Sequence, residues 1–168
     1  SDQHQVIKQL LDTNNDNQTD PILVAGNGTA GSTSNLLNTP RGIHVDEAFN
    51  LYVADCLNNR VQRFPMDSLD AVTMIGNDTD ANLTLSCPTA VTLDKSGYLF
   101  VVDSGNHRII GSGPNGYRCI VGCSIVNGLA LDLLNHPLSF SFDKAGKLFV
   151  LEQNSTQLKT FKINDELC

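Results

Sequence analysis

The stretch "VVDSGNHRIIGSG", residues 101–113, joins an apolar run to an aspartate, a glycine turn and an Asn-His-Arg triplet. The same arrangement occurs earlier as "LYVADCLNNRVQRF" (51–64) and later, in weaker form, as "LFVLEQNSTQLKTF" (148–161). The copies recur with a period of about 50 residues, and a fixed period of this size indicates a repeat architecture. Each residue in the stretch must therefore be interpreted together with its counterparts in the other copies.

The residues before each apolar run also recur. An aspartate precedes each run, a proline lies six residues before that aspartate, and a glycine-bearing segment follows the run. The aspartates are Asp46, Asp94 and Asp143, and the prolines are Pro40, Pro88 and Pro137. We interpret the aspartates as hairpin-turn residues, because short polar side chains hydrogen-bond to nearby backbone amides.

The first complete copy is predicted to hold four short strands, over 42–45, 51–54, 60–64 and 71–76. The second strand of each copy is apolar on both faces and must be covered on both sides. The third strand alternates, which favours a position nearer solvent. Four antiparallel strands per repeat, stacked on their neighbours, are the blades of a β-propeller.

The predicted fold class is therefore all-β, a single incomplete propeller arc over residues 1–168 with thirteen strands. Two full blades occupy 29–78 and 79–124. A partial blade of two strands occupies 1–28, and a partial blade that lacks its fourth strand occupies 125–168.

The copies resemble NHL repeats, a family named for an Asn-His-Leu-type triplet whose place Asn106-His107-Arg108 occupies. The resemblance extends over roughly residues 4–163 and implies a β-propeller. The third copy departs from the pattern, since it reads "QNSTQLKTF" and has Glu152 in place of aspartate.

The polar residues of the opening stretch have counterparts in every copy. Asp103 corresponds to Asp55 and Glu152, and His107 corresponds to Asn59 and Thr156. A catalytic group need not recur in each repeat, whereas a turn residue should. We therefore expect a structural role for these positions and no catalytic residue among them.

A metal-dependent enzyme is the competing interpretation, because six-bladed relatives of this architecture include lyases and lactonases with His and carboxylate ligands at the channel mouth. Zinc requires three or four convergent ligands. The histidines, His4, His44, His107 and His136, do not share one repeat position. The sequence also lacks a Gly-x-Ser-x-Gly or His-Glu-x-x-His motif. We expect no metal, no cofactor and no enzymatic activity.

Composition narrows the class of partner. The chain of 168 residues carries a net charge of −7, and its basic residues are not clustered, so a nucleic-acid partner is not expected. No apolar stretch approaches the roughly 20 residues of a membrane span. The sequence does not begin with Met and shows no signal sequence, so we expect a processed chain or an excerpt.

Five Asn-x-Ser/Thr sequons indicate N-glycosylation and hence an extracellular, secreted protein. The acceptors are Asn17, Asn27, Asn77, Asn82 and Asn154. Asn27 and Asn77 each follow the glycine that ends a fourth strand, so their glycans are predicted on the same side of adjacent blades.

The five cysteines fit an oxidising compartment. Cys56 follows a second strand and Cys87 precedes the next first strand, and a bridge between them would join neighbouring blades. Cys119 and Cys123 flank the end of a fourth strand and could close a small loop. Cys168 is then unmatched, which suggests an intermolecular bond or a truncated sequence.

Partial blades at both ends leave two interpretations. Neighbouring copies complete each other's blades head to tail, which can build a fibre, or the residues belong to a larger propeller. The sequence favours a secreted, N-glycosylated, non-enzymatic scaffold whose partners are other copies of itself or other extracellular proteins. The alternative is part of a six-bladed metal-dependent lyase or lactonase, or of a ligand-binding receptor module.

Overall fold

The computed structural model describes residues 3–9, 20–77, 79, 83–123, 134–153 and 158–162. Thirteen strands in this part of the chain form four antiparallel sheets. The two-stranded sheet consists of β1 (Gln5–Lys8) and β2 (Ile22–Gly26). The first blade consists of β3 (Pro40–Val45), β4 (Leu51–Asp55), β5 (Arg60–Phe64) and β6 (Val72–Ile75).

The second blade consists of β7 (Pro88–Leu93), β8 (Leu99–Asp103), β9 (Arg108–Gly113) and β10 (Gly116–Val121). The three-stranded sheet consists of β11 (Pro137–Phe142), β12 (Lys147–Glu152) and β13 (Lys159–Lys162). Strands that are consecutive in sequence pair with each other in every sheet. The predicted all-β architecture of four-stranded antiparallel blades is confirmed.

Three apolar clusters fill the spaces between successive sheets. Ala25 packs with Val53 and Phe64 between the two-stranded sheet and the first blade. The other two clusters lie on either side of the second blade: Ala54, Val61, Val91 and Val101 on one side, and Ile109, Val121, Leu148 and Val150 on the other. Because each blade contributes side chains to both of its neighbours, its second strand must be apolar on both faces.

Every residue of β4 and β8 is buried, as the sequence predicts. The expectation that third strands lie nearer solvent is wrong for β5, because its residues Val61, Gln62 and Phe64 are all buried. The fourth strand covers the edge of the third, and adjacent sheets cover its two faces. In this interior the Gln62 Oε1 accepts a hydrogen bond from the Thr73 hydroxyl at 2.7 Å, whereas its buried Nε2 has no hydrogen-bond partner among the described residues. In β13 the residues alternate between half-buried and exposed, as expected.

The first strands of the two blades and of the three-stranded sheet have the same irregularity immediately after their proline. Pairing shifts register between Pro40 and Gly42, and the corresponding shifts begin at Pro88 and Pro137. Proline has no N–H to donate to the ladder, so a bulge at this position is the expected outcome.

Candidate functional site

A buried carboxylate ends the second strand of each described copy. The side chains of Asp55 and Asp103 are completely buried, and Glu152 is 4% exposed. Each blade brings its acid to the same edge, because the acid is the last residue of the corresponding strand in the same sheet order. A buried charge is costly unless it is paired and hydrogen-bonded, so its partners determine what it can do.

Asp103 is held by three donors. Its Oδ1 accepts the backbone N–H of Ser86 at 2.6 Å. Its Oδ2 accepts from Asn106 Nδ2 and from Arg108 Nε, both at 2.8 Å. These bonds connect the segment that enters the blade, the 3₁₀ turn Ser104–Asn106 and the first residue of the third strand.

Asp55 repeats this geometry in the first blade. It accepts the N–H of Asn38 at 2.7 Å, and it accepts from Asn58 Nδ2 and Arg60 Nε at 2.8 Å. The arginine also donates to the backbone carbonyls of Ser32, Thr33 and Leu36. The cluster therefore fastens the entry loop to its blade.

The third copy keeps the arrangement with different residues. Glu152 Oε1 accepts the N–H of Asn135 at 2.6 Å and pairs with Lys159 Nζ at 3.0 Å. Glu152 therefore binds the same two kinds of group as Asp55 and Asp103 do. These groups are a backbone N–H before the first strand and a cationic side chain on the third strand. Charge-assisted bonds of this kind are the strong class of protein hydrogen bond.

In both full blades the residue before the third strand connects one sheet to the next, while the counterpart in the third copy, Thr156, lies outside the described residues. Asn59 and His107 follow the 3₁₀ turns in the left-handed conformation, with φ of 52° and 55°. Asn59 Oδ1 accepts the N–H of Cys87 at 2.9 Å, and His107 Nδ1 accepts the N–H of His136 at 3.1 Å. Both donors immediately precede the proline that starts the following sheet, so these are bonds between blades.

His4 has the same role, which the sequence analysis missed. His4 has a φ of 35°, and its Nδ1 accepts the N–H of Thr39 at 3.0 Å. His4 and His107 thus share one repeat position. The available signal was the strand that follows each histidine, "QVIK" and "RIIG". In both cases Nδ1 is the acceptor, so the proton of the neutral imidazole lies on Nε2.

A disulfide also links the two full blades, next to the hydrogen bond that connects them. The structure pairs Cys56 with Cys87, as the sequence predicts, directly beside the Asn59 hydrogen bond. It also pairs Cys119 with Cys123 at the end of β10. Cys168 lies outside the described residues.

The aspartates between first and second strands are hairpin-turn residues in all three copies. Asp94 Oδ1 accepts the N–H groups of Ser96 and Tyr98, and Asp143 does the same for Ala145 and Lys147. These contacts match the predicted role.

Asp46 has additional donors. Its Oδ1 accepts from Ala48 and Asn50, and its Oδ2 accepts from the Asn50 side chain and the Tyr52 hydroxyl. Burial alone would raise the pKa of the Asp46 carboxyl, but these hydrogen bonds outweigh it and hold the pKa below its ordinary value. Burial, and then the nearby negative charge of Asp46, raise the pKa of Tyr52.

Two predicted glycan acceptors lie within the described residues. Asn27 follows β2 and Asn77 follows β6, and both are exposed. In an antiparallel sheet the fourth strand runs in the same direction as the second. Asn77, which follows the fourth strand β6, therefore lies at the edge of the blade that carries Asp55, the last residue of the second strand. The Asn27 Oδ1 accepts the N–H of Thr29 at 2.9 Å, and its Nδ2 is the atom to which a glycan would be attached. Asn17, Asn82 and Asn154 lie outside the described residues.

The first strands β3, β7 and β11 line a groove of about 400 Å³. His44 and Thr92, at matching repeat positions, face each other there with Nδ1 and Oγ1 3.3 Å apart. Within the described ranges, no three His, Cys, Asp or Glu side chains are grouped so that they could hold a metal ion. The same residues contain no helix that is long and apolar enough to span a membrane.

The four-stranded sheets pack face to face, their first strands line one groove, and the same hydrogen bond recurs between successive sheets. This arrangement is a β-propeller architecture. Residues 85–111 match the family model described as the NHL repeat. The chain therefore has a β-propeller fold that contains a segment matching the NHL repeat, as its sequence indicates. A search of curated proteins found no match to it.

Similar solved structures show the same fold. The crystal structure of the nidogen/laminin complex matches with a TM-score of 0.63 and 20% identity, over 95% of this chain and 54% of that chain. A protein of unknown function from Bacteroides thetaiotaomicron matches with a TM-score of 0.61 and 16% identity, over 84% of this chain and 36% of that one.

A catalytically inactive virginiamycin B lyase from Staphylococcus aureus, crystallised with quinupristin, matches with a TM-score of 0.51 and 12% identity. That match covers 95% of this chain and 46% of the lyase. The chain therefore spans about half the length of these structures or less, and the likeness concerns the fold alone.

Proposed function

We propose that this protein is a non-enzymatic, secreted and N-glycosylated scaffold that acts by binding other proteins. The observation that carries this proposal is the hydrogen bonding of the buried aspartates that end the second strands. Asp55 and Asp103 are completely buried and each accepts three hydrogen bonds from its own blade. A carboxylate occupied in this way holds loops in place and is poorly suited to exchange protons with a substrate.

The extracellular part of the proposal rests on the disulfides and the sequons. Two disulfides favour an oxidising compartment. Asn27 and Asn77 are exposed, so glycans attached there would meet no steric obstacle from the fold. The protein–protein complex formed by nidogen provides a precedent, in this fold, for a binding role.

The finer proposal is head-to-tail assembly into a fibre. Ile43 and Val45 of β3 are 54% and 52% exposed, and Leu151 of β12 is 49% exposed. Ile43 and Val45 lie on the first strand of the first blade, which packs against the two-stranded sheet, and strands added to that sheet would cover them. Leu151 lies on the three-stranded sheet at the other end of the described stack, where a further blade would cover it. Contact between unlike surfaces of identical copies can propagate into a filament.

Glycosylation is tested by expressing the chain behind a signal peptide in mammalian cells and measuring its mass before and after peptide N-glycosidase treatment. We expect the mass to fall on treatment, with deamidated asparagine at positions 27 and 77, and no stoichiometric divalent metal. A metal ion retained through purification in stoichiometric amount would support the lyase-type alternative instead.

Assembly is tested on the same material by light scattering coupled to size-exclusion chromatography. We expect oligomers that dissociate when Val45 is replaced by glutamate, with Asp94→Asn as a control in an exposed turn. A monomer at all concentrations would refute the fibre proposal and leave the scaffold proposal standing.

A further inference from the structure

The β3–β4 turn of the first blade differs from both of its counterparts at two exposed positions, 47 and 49. All three turns are closed by an aspartate that accepts two backbone N–H groups. Phe49 stands where the other turns have Gly97 and Gly146, and all three residues have positive φ, of 61°, 81° and 77°.

Phe49 is unfavourable for the fold in two respects. A bulky side chain in the left-handed region is sterically strained, whereas glycine adopts this conformation without penalty. The Phe49 side chain is also 67% exposed, more than any other large hydrophobic residue among those described. Neither backbone geometry nor core packing accounts for it, and such strain tends to occur at functional sites.

Two further exposed apolar residues lie on the same side of the blade. Leu51 at the start of β4 pairs with Phe64 at the end of β5, so the turn before β4 and the loop after β5 lie side by side. That loop presents Met66, 57% exposed, and Leu69, 48% exposed. We refer to Phe49, Met66 and Leu69 as the turn patch.

The exposed charged side chains of this turn and of the loop after β5 are acidic. Glu47 is exposed beside Phe49, and Asp67 and Asp70 are exposed in the loop that carries Met66 and Leu69. The position of Glu47 is lysine in both other turns, Lys95 and Lys144. The first blade therefore combines an apolar centre with an acidic rim, whereas the described turns of the other two copies have glycine together with lysine.

We propose that the turn patch is a docking surface for a protein segment with an aromatic or aliphatic centre flanked by Lys or Arg. Exposed apolar patches with polar rims mark interaction sites, and a charged rim selects a partner of opposite charge. The same acidic rim disfavours an anionic membrane surface. This inference deepens the proposed scaffold function, on which it rests, by giving the chemistry of one partner.

The test uses a double variant, Glu47→Lys with Phe49→Gly, which gives the first blade the turn residues of the other two. A phage library of random 12-residue peptides is selected on the wild-type protein and counter-selected on this variant. We expect enriched peptides to share an apolar centre with basic flanks. Synthetic copies should bind the wild type at least tenfold more tightly than the variant, and raising the salt concentration should weaken them.

Folding is controlled by thermal unfolding, in which the variant should melt no lower than the wild type because the left-handed position regains glycine. Gly97→Phe in the second blade should gain no affinity for the peptides, because the rim there contains Lys95. Failure to enrich basic–apolar peptides would overturn the proposal. So would variant-sensitive binding to phosphatidylserine vesicles, which would indicate a lipid surface. Neither result depends on whether glycans or oligomers are found.

Discussion

His107 accepts, through Nδ1, the backbone N–H of His136 at 3.1 Å, and the two rings meet edge to face with centroids 4.2 Å apart. The first residue belongs to the second blade, and the second precedes the first strand of the next sheet. The bond therefore spans a joint between sheets. Asn59 and His4 make the equivalent bond at the two other joints.

Replacement of His107 by asparagine should be nearly neutral, whereas replacement by alanine should destabilise the protein by about 1–2 kcal/mol. Asparagine tolerates the left-handed conformation and offers Oδ1 as acceptor, as Asn59 does, but alanine loses the hydrogen bond and fits that conformation poorly. Urea unfolding at pH 7.5 measures the difference. Equal losses in both variants would show that the ring itself, and not its acceptor atom, stabilises the joint.

Loss of the Cys56–Cys87 bridge should cost more stability than loss of Cys119–Cys123. The first bridge closes a sequence separation of 31 and the second a separation of 4. The chain-entropy relation gives about 4 kcal/mol for the longer loop and about 2 kcal/mol for the shorter one.

Paired serine variants, Cys56→Ser with Cys87→Ser and Cys119→Ser with Cys123→Ser, test this order by chemical denaturation. The shorter bridge serves as the internal control, because each double variant removes one disulfide. The reverse order would indicate that the joint between the full blades does not depend on its bridge.

The stabilising effect of Asp46 should disappear at low pH. Its pKa in the folded protein lies below the ordinary value of 3.8, so the folded state binds fewer protons than the unfolded state in that range. Its contribution is present above about pH 4 and is lost as pH falls through the folded-state pKa. The stability of wild type relative to Asp46→Asn, measured from pH 6 to pH 2, should therefore shrink only at the acid end. A constant difference would contradict this.

Much of the fold follows from sequence because the repeat supplies the same local signals three times. The apolar runs at Leu51, Leu99 and Leu148 fixed the second strands, and the aspartate turns fixed the hairpins before them. The pairing of Cys56 with Cys87 followed from the order of strands in a blade, since both loops had to emerge at one edge.

Tertiary contacts were harder to predict from the sequence than the strands were. Gln62 is polar and appeared solvent-facing, but Thr73 of the same blade satisfies its oxygen in the interior. The hydrogen bond from the Thr39 N–H to His4 connects two sheets, and no local sequence pattern predicts that these two residues lie close together. Alignment of repeats predicts which residues are equivalent, but only the packed structure shows which neighbour each one contacts.

The most direct test of the structural role of the recurrent acids is the free energy of unfolding of Asp103→Asn. The amide would keep an oxygen for the Ser86 N–H but would place an NH₂ group against the donors of Asn106 and Arg108. We predict a loss of about 3 kcal/mol or more, as for other broken buried pairs, while Asp94→Asn in the exposed turn changes little. An Asp103→Asn protein as stable as the wild type would contradict the assignment of these acids to holding the blades together.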